Sequence, residues 1–336
     1  AGFTIVELYG ATDVDESGTT DTFTVVLDAE PATDVVLTVT SDDTSEATVN
    51  SPLTFTPANW DTPQTVTVTG ADDDLVDGTI TSTVTVAVDD VNSSDGFDSL
   101  IDQIVSVDTT DDDVAGFTIV ELDGSTEVDE AGSTDTFTVV LDAQPTSDVV
   151  MSTASNDTSE ATTTNTLTFT PSNWDTPQTV TVTGIDDNII DGTVTSSVVI
   201  SIIDANSDDD FDAIADQTVS VDTADNDAPG FTIEETDAAT EVDESGSTDT
   251  FTVVLDAQPT SDVVLTITSD DTGEATVNNP LTFTPVNWDT PQTVTVTGTD
   301  DDLVDGTITS TITIAVDDAN SDDDFDAIAD QTVSVD

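Results

Sequence analysis

Thr79-Ile80-Thr81-Ser82-Thr83-Val84-Thr85-Val86-Ala87-Val88 is the stretch that decides the fold. Ile80, Val84, Val86 and Val88 fall on one side of an extended chain, and Thr79, Thr81, Thr83, Thr85 and Ala87 fall on the other. That period of two belongs to a strand with one face in a core. Similar Thr/Val runs occupy 3–8, 22–28, 35–40, 53–56, 65–69 and 103–108. No stretch carries the i, i+3, i+4, i+7 apolar stripe of an amphipathic helix. About seven short strands in roughly 110 residues, with turn signals between them, predict an immunoglobulin-like β-sandwich.

The pattern is written three times. Trp60, Trp174 and Trp288 are spaced 114 residues apart, and the string NWDTPQTVTVTG begins at Asn59, Asn173 and Asn287. The predicted fold is therefore all-β, with three tandem sandwiches at 1–114, 115–228 and 229–336. The third copy stops at Asp336, where the earlier copies continue into a junction at 109–114 and 223–228. With no initiator Met, no signal-peptide pattern and no apolar run near the 18 or so residues of a membrane span, the chain reads as a window or mature segment of a longer array.

The charge is entirely one-sided. Among 336 residues there are 73 Asp and Glu and no Lys, Arg, His or Cys. Nucleic-acid binding and adhesion to anionic membranes need cations that the chain lacks. Thiol nucleophiles, imidazole bases, zinc sites, Schiff bases and disulfides are excluded in the same way. A carboxylate-pair glycosidase is the one enzyme class that the composition readily permits. Near-verbatim triplication and the lack of any cation to tune a pKa argue against it, so no enzymatic activity is expected. Only 35% of residues are hydrophobic. High net charge with modest hydrophobicity is the signature of disorder, so a folded chain needs something to neutralise its carboxylates.

The acids recur at fixed places. One cluster is Val14-Asp15-Glu16-Ser17-Gly18, repeated at 128–132 and 242–246. A second is Asp72-Asp73-Asp74-Leu75-Val76-Asp77-Gly78, directly after a Thr/Val strand, repeated at 186–192 and 300–306. The third is the junction, Asp111-Asp112-Asp113 and then Asp225-Asn226-Asp227. Folding should gather the three at one end of each sandwich. Glu16, Asp72, Asp73, Asp77, Asp111 and Asp113 would then place six carboxylates together, and on the order of two Ca²⁺ would offset most of their repulsion. Magnesium, with its stricter octahedron, ranks second.

These residues resemble the Calx-beta repeat: a V-x-E-x-G at Val14–Gly18, an acidic D-D-D-x-x-[DE] loop after a strand, and a terminal D-D-D-x-A-G-F matched by Asp111–Phe117. That family forms calcium-binding sandwiches in Na/Ca exchangers, integrin subunits and bacterial surface proteins. The resemblance spans each copy and implies ligands at Glu16, Asp72, Asp73, Asp77, Asp111, Asp112 and Asp113. In the second copy it implies Glu130, Asp186, Asp187, Asp191, Asp225 and Asp227. In the third it implies Glu244, Asp300, Asp301 and Asp305. Asp43, Asp157 and Asp271, in another turn, match less closely. Ile80 stands where the exchanger-type loop has a further acid, which implies fewer or weaker ions. The second junction, Asp225-Asn226-Asp227-Ala228-Pro229-Gly230-Phe231, also resembles a cadherin linker.

Blander readings accompany these. The acids could form a solvated surface suited to high salt, and Asp208-Asp209-Asp210 is read mostly that way. Each Trp turn is expected to cap a sandwich end more than to stack on a sugar. The glycosylation patterns at Asn92 and Asn156 do not recur and are assigned to chance. The functional expectation is a secreted or surface-exposed structural array, the stalk or filament of an adhesin-like fibre. Calcium ions and neighbouring repeats or like chains would be its partners. The alternatives are a calcium-responsive module or an adhesive module that binds glycans or protein.

Overall fold

A computed structural model describes residues 1–164, 166–300 and 306–336. The chain is all-β, three tandem immunoglobulin-like sandwiches. In the first copy the strands are β1 (Phe3–Glu7), β2 (Thr12–Asp15), β3 (Thr20–Leu27), β4 (Val35–Ser41), β5 (Ala47–Val49), β6 (Leu53–Phe55), β7 (Gln64–Gly70), β8 (Ile80–Val88) and β9 (Gln103–Thr110). One sheet runs β1-β3-β7-β5 and the facing one β2-β9-β8-β4-β6. All seven predicted runs are strands. The two short additions, β2 and β5, lie outside those runs.

Alternation on each strand builds the core. Phe23, Val25, Val66 and Val68 from one sheet meet Leu37, Val39, Val84 and Val86 from the other in one cluster. Burying each such side chain contributes about 1.5–3 kcal/mol, which opposes the repulsion of the acidic surface. Trp60 is half-buried against this cluster, as are Trp174 and Trp288 in their own copies. Their turns cap the sandwich, and the Trp60 carbonyl accepts a hydrogen bond from Leu27 N at 3.2 Å.

β2 pairs in parallel with β9, from Thr12–Val107 to Asp15–Thr110. The chain thus leaves one sheet after β1 and joins the other at β2, which closes the sandwich end. Gly70 ends β7 where a Cβ would collide with the Asp15 carbonyl, and Gly184 and Gly298 repeat the close approach to Asp129 and Asp243. The second copy reproduces both sheets. In the third, the counterpart of β2 is reduced among the described residues to a single bridge, Thr240–Val335.

Asp208 corrects the reading of Asp208-Asp209-Asp210 as mostly solvated surface. It is buried, and its carboxylate accepts from Thr146 Oγ1 at 2.7 Å, Ser147 N at 2.7 Å, Ser147 Oγ at 3.2 Å and Asp210 N at 3.2 Å. Asp322 does the same for Thr260, Ser261 and Asp324. The hydrogen bonds hold both pKa values down in spite of the burial that opposes them. These are structural caps of short 3-10 turns.

Candidate metal centre

Glu16 follows β2 in register with Thr12 and Val14, both of which face the core. The alternation therefore sends its side chain inward, and Glu16 is only 1% exposed. Facing it is Glu46, 4% exposed, which directly precedes β5. Sequence reasoning missed Glu46. The signal was present, because Glu-Ala-Thr recurs at 46–48, 160–162 and 274–276, in a chain where most acids are Asp. A three-residue strand is too short for periodicity to register.

Oxygens of Glu16, Glu46 and Asp73 lie within 4.8 Å of one another, and so do oxygens of Glu16, Asp112 and Asp113. Glu16 is thus shared by two triads. Its Oε2, Glu46 Oε2 and Asp77 Oδ1 are buried with no hydrogen-bond partner. Beneath them the Ser82 hydroxyl, on the core face of β8, is likewise buried and unpartnered. An ionised carboxylate without a partner in such a place is costly, commonly by several kcal/mol.

The remaining aspartates frame the loops. Asp111 Oδ2 accepts from Asp77 N at 3.0 Å and Gly78 N at 2.9 Å, and its Oδ1 accepts from Asp113 N at 2.7 Å. Asp73 Oδ1 accepts from Leu75 N at 2.8 Å. Asp72 is exposed, though its charge reaches Asp113. Asp43 is exposed and stands apart from the triads. Its Oδ1 accepts from Ser45 N at 3.0 Å and Ser45 Oγ at 2.5 Å, which lowers its pKa and fixes the turn that aims Glu46.

Crowding shows in the acid strengths. Burial, then the charges of Asp73, Asp111, Glu46 and Asp77, pushes the Glu16 carboxyl up to about 7. Burial and neighbouring acids also raise Glu46, Asp77 and Asp113.

In the second copy Glu130, Asp225 and Asp227 form the triad. Glu130 is 1% exposed, and burial pushes it up to about 7. Glu160 and Asp227 each keep a buried oxygen without a partner. Asp225 accepts from Asp191 N and Gly192 N, as Asp111 does in the first copy. Asp187 accepts from Ile189 N. Asn226 replaces Asp112 and donates from its side chain to Asp186 at 3.2 Å, so this centre has one acid fewer. Asp157 repeats the turn role of Asp43 through Ser159. In the third copy Glu244, Asp271 and Asp300 are exposed, while Asp301 and Asp305 lie outside the described residues. A groove there is lined by Glu244, Glu274, Ile308, Ser310 and Asp336.

No family model matches the chain, and no curated protein matches it. Among solved structures it is similar to the calcium-binding domain CBD12 of CALX1.1, at 18% identity over 59% of this chain and 80% of that one, TM-score 0.25. Domains 4 and 5 of the S-layer protein SbsC align at 14% identity over 67% and 98%, TM-score 0.29. The human desmocollin-1 ectodomain aligns at 9% identity over 99% and 59%, TM-score 0.26. These neighbours include Calx domains and a cadherin, the two resemblances drawn from the acidic loops and junctions. Among the described residues no helix is long and apolar enough to cross a membrane.

Proposed function

We propose that the chain is an extracellular structural repeat array, without catalytic activity, whose joints are stiffened by calcium bound between the acidic end of one copy and the junction leading into the next. The observation that carries this reading is the pair of buried, unpartnered oxygens on Glu16 and Glu46, aimed into a set of carboxylates. The sequence contains no Lys, Arg or His to neutralise them, so a cation from solution is the available partner. The donors are hard oxygens, as calcium prefers. Calcium takes six to eight oxygens in flexible geometry, which suits a crowded carboxylate set better than magnesium's strict octahedron.

Glu16, Glu46, Asp73, Asp77 and the junction residues Asp111–Asp113 would hold the ions in the first copy. Glu130, Glu160, Asp187, Asp191, Asp225 and Asp227 would do so in the second. Because the junction residues are ligands, ion binding ties the linker to the sandwich end, and binding energy becomes joint stiffness and folding stability. A stalk or filament is the role that a stiffened array serves best.

The test is a thermal melt followed by circular dichroism, with calcium, with magnesium and after chelation. A large rise in Tm with calcium and a smaller one with magnesium is expected. Identical melts in all three conditions would overturn the calcium mechanism and leave a salt-adapted acidic surface.

A further inference from the structure

The acidic loops of the first two copies also reach forward into the next copy. Leu75 forms a parallel bridge with Gln144. Gln144 N donates to Asp74 O at 2.7 Å, and Val76 N donates to Gln144 O at 3.0 Å. Val76 packs against the core of the second copy. The second joint repeats this: Ile189 bridges Gln258, Gln258 N donates to Asn188 O at 2.6 Å, and Ile190 N donates to Gln258 O at 3.2 Å. Ile190 is 8% exposed and belongs to the core cluster of the third copy. The acceptor surface is thus a backbone edge beside an apolar socket, and neither part is a carboxylate ligand.

The side chain at the bridge completes it. Gln144 Nε2 donates to Pro171 O at 2.9 Å, and Gln258 Nε2 donates to Pro285 O at 3.1 Å. In the first copy the equivalent residue is Glu30, which is exposed. Ala143 and Ala257, beside the two glutamines, are each 1% exposed beneath a docked loop. A carboxylate cannot donate to a carbonyl. At 144 it would face the Pro171 oxygen with like partial charge and add a negative charge beside Asp73 and Asp74.

We infer that Gln144 and Gln258 are specificity-determining residues of an inter-repeat latch: a neutral amide there lets the base of a copy accept the acidic loop of the copy before it, and a glutamate there rejects such a loop. The latch positions the loop that bears Asp73 and Asp77, so it rests on the same joints as the calcium reading but uses different atoms.

The test uses the full chain with spin labels at exposed sites. The pair T54C and T168C spans the first joint, and T168C with T282C spans the second. Distance distributions are measured with calcium and with chelator. The expected result is that Gln144→Glu loses the narrow peak at the first joint and keeps it at the second, and that Gln258→Glu does the reverse. Gln144→Met, which lacks the donor but adds no charge, should broaden the first joint less, and Glu30→Gln should change neither. The first copy carries Glu at this position and forms its sandwich, so circular dichroism of the variants should match the parent. Distributions for Gln144→Glu identical to the parent in both buffers would overturn the latch. Failure of the calcium reading is a separate outcome: parent distributions and melts that ignore calcium, with the Gln144→Glu effect intact.

Discussion

The first and third copies share nearly the same strings, yet their upper ends differ. In the first, Glu16 is 1% exposed under the junction that follows β9, and Glu46 is 4% exposed beside it. In the third, Glu244 is exposed, Glu274 is half-buried and both line a groove, while Ser310 stays as buried as its counterpart Ser82. In the first copy Glu16 shares one triad with Asp112 and Asp113 of the junction. The comparison teaches that the buried acid cluster is built jointly. The sandwich supplies two glutamates and a loop, and the segment leading to the next copy supplies further carboxylates.

The sharpest way to break this comparison is to remove the ion. Calorimetry of the calcium-loaded chain should resolve transitions for the first two copies that fall by on the order of 10 °C on chelation, as expected for a ligand near a hundredfold above its Kd. The third copy should melt at a temperature that barely moves. Equal shifts for all three would show that the junction is dispensable. The converse experiment appends the segment Thr109–Phe117 after Asp336, which should make the third transition calcium-sensitive as well.

Single glutamates come next. Glu16→Gln should abolish most calcium binding at the first joint while raising the stability of the calcium-free chain by about 1–3 kcal/mol, since a buried charge without a partner is removed. Glu244→Gln should do neither, as its carboxylate is already in water. Isothermal titration and chemical denaturation read the two effects separately. A loss of stability in calcium-free Glu16→Gln would contradict the picture of a repulsive cluster.

Asp208 allows a comparison of comparable size outside the ion site. Asp208→Ala strands the donors of Ser147, Thr146 and Asp210 and should destabilise the second copy by about 1–3 kcal/mol with no change in calcium affinity. Asp43→Ala removes the acceptor of an exposed turn and should cost less than Asp208→Ala. Denaturation curves with and without calcium would reverse the assignment if Asp208→Ala lost ion binding.

The comparison also extends to pH. The folded pKa of Glu16 and of Glu130 is raised from 4.5 to about 7. The folded state therefore binds more protons than the unfolded state between these values, and calcium-free stability should rise as pH falls from above 7 to below 4.5. With calcium bound the trend should reverse, because protons then compete with the ion. A calcium-free Tm that falls steadily across this window would contradict the raised values.

Much of this was legible in the residues. Alternation gave the long strands because one face of each must be apolar, and the 114-residue period gave the three copies. Glu16 could be read because its acidic cluster recurs at the 114-residue period, although the strand that turns it inward, β2, was too short to be predicted. Glu46 could not, since its strand is three residues long and only the 114-residue recurrence marks it. Asp208 looked like any surface acid, because the donors that bury it lie about 60 positions earlier at Thr146 and Ser147.

The sequence by itself thus determined the all-β class, the repeat and the one-sided charge, since these follow from side-chain period and composition. Tertiary structure alone decided which of 73 acids become a site. It turned Glu16 and Glu46 toward each other from opposite sheets, set Asp43 aside as a turn residue, and seated Val76 of one copy in the core of the next. The physical reason is that charge is a property of composition. Desolvation and proximity, which make a carboxylate costly enough to require an ion, exist only once distant segments have met.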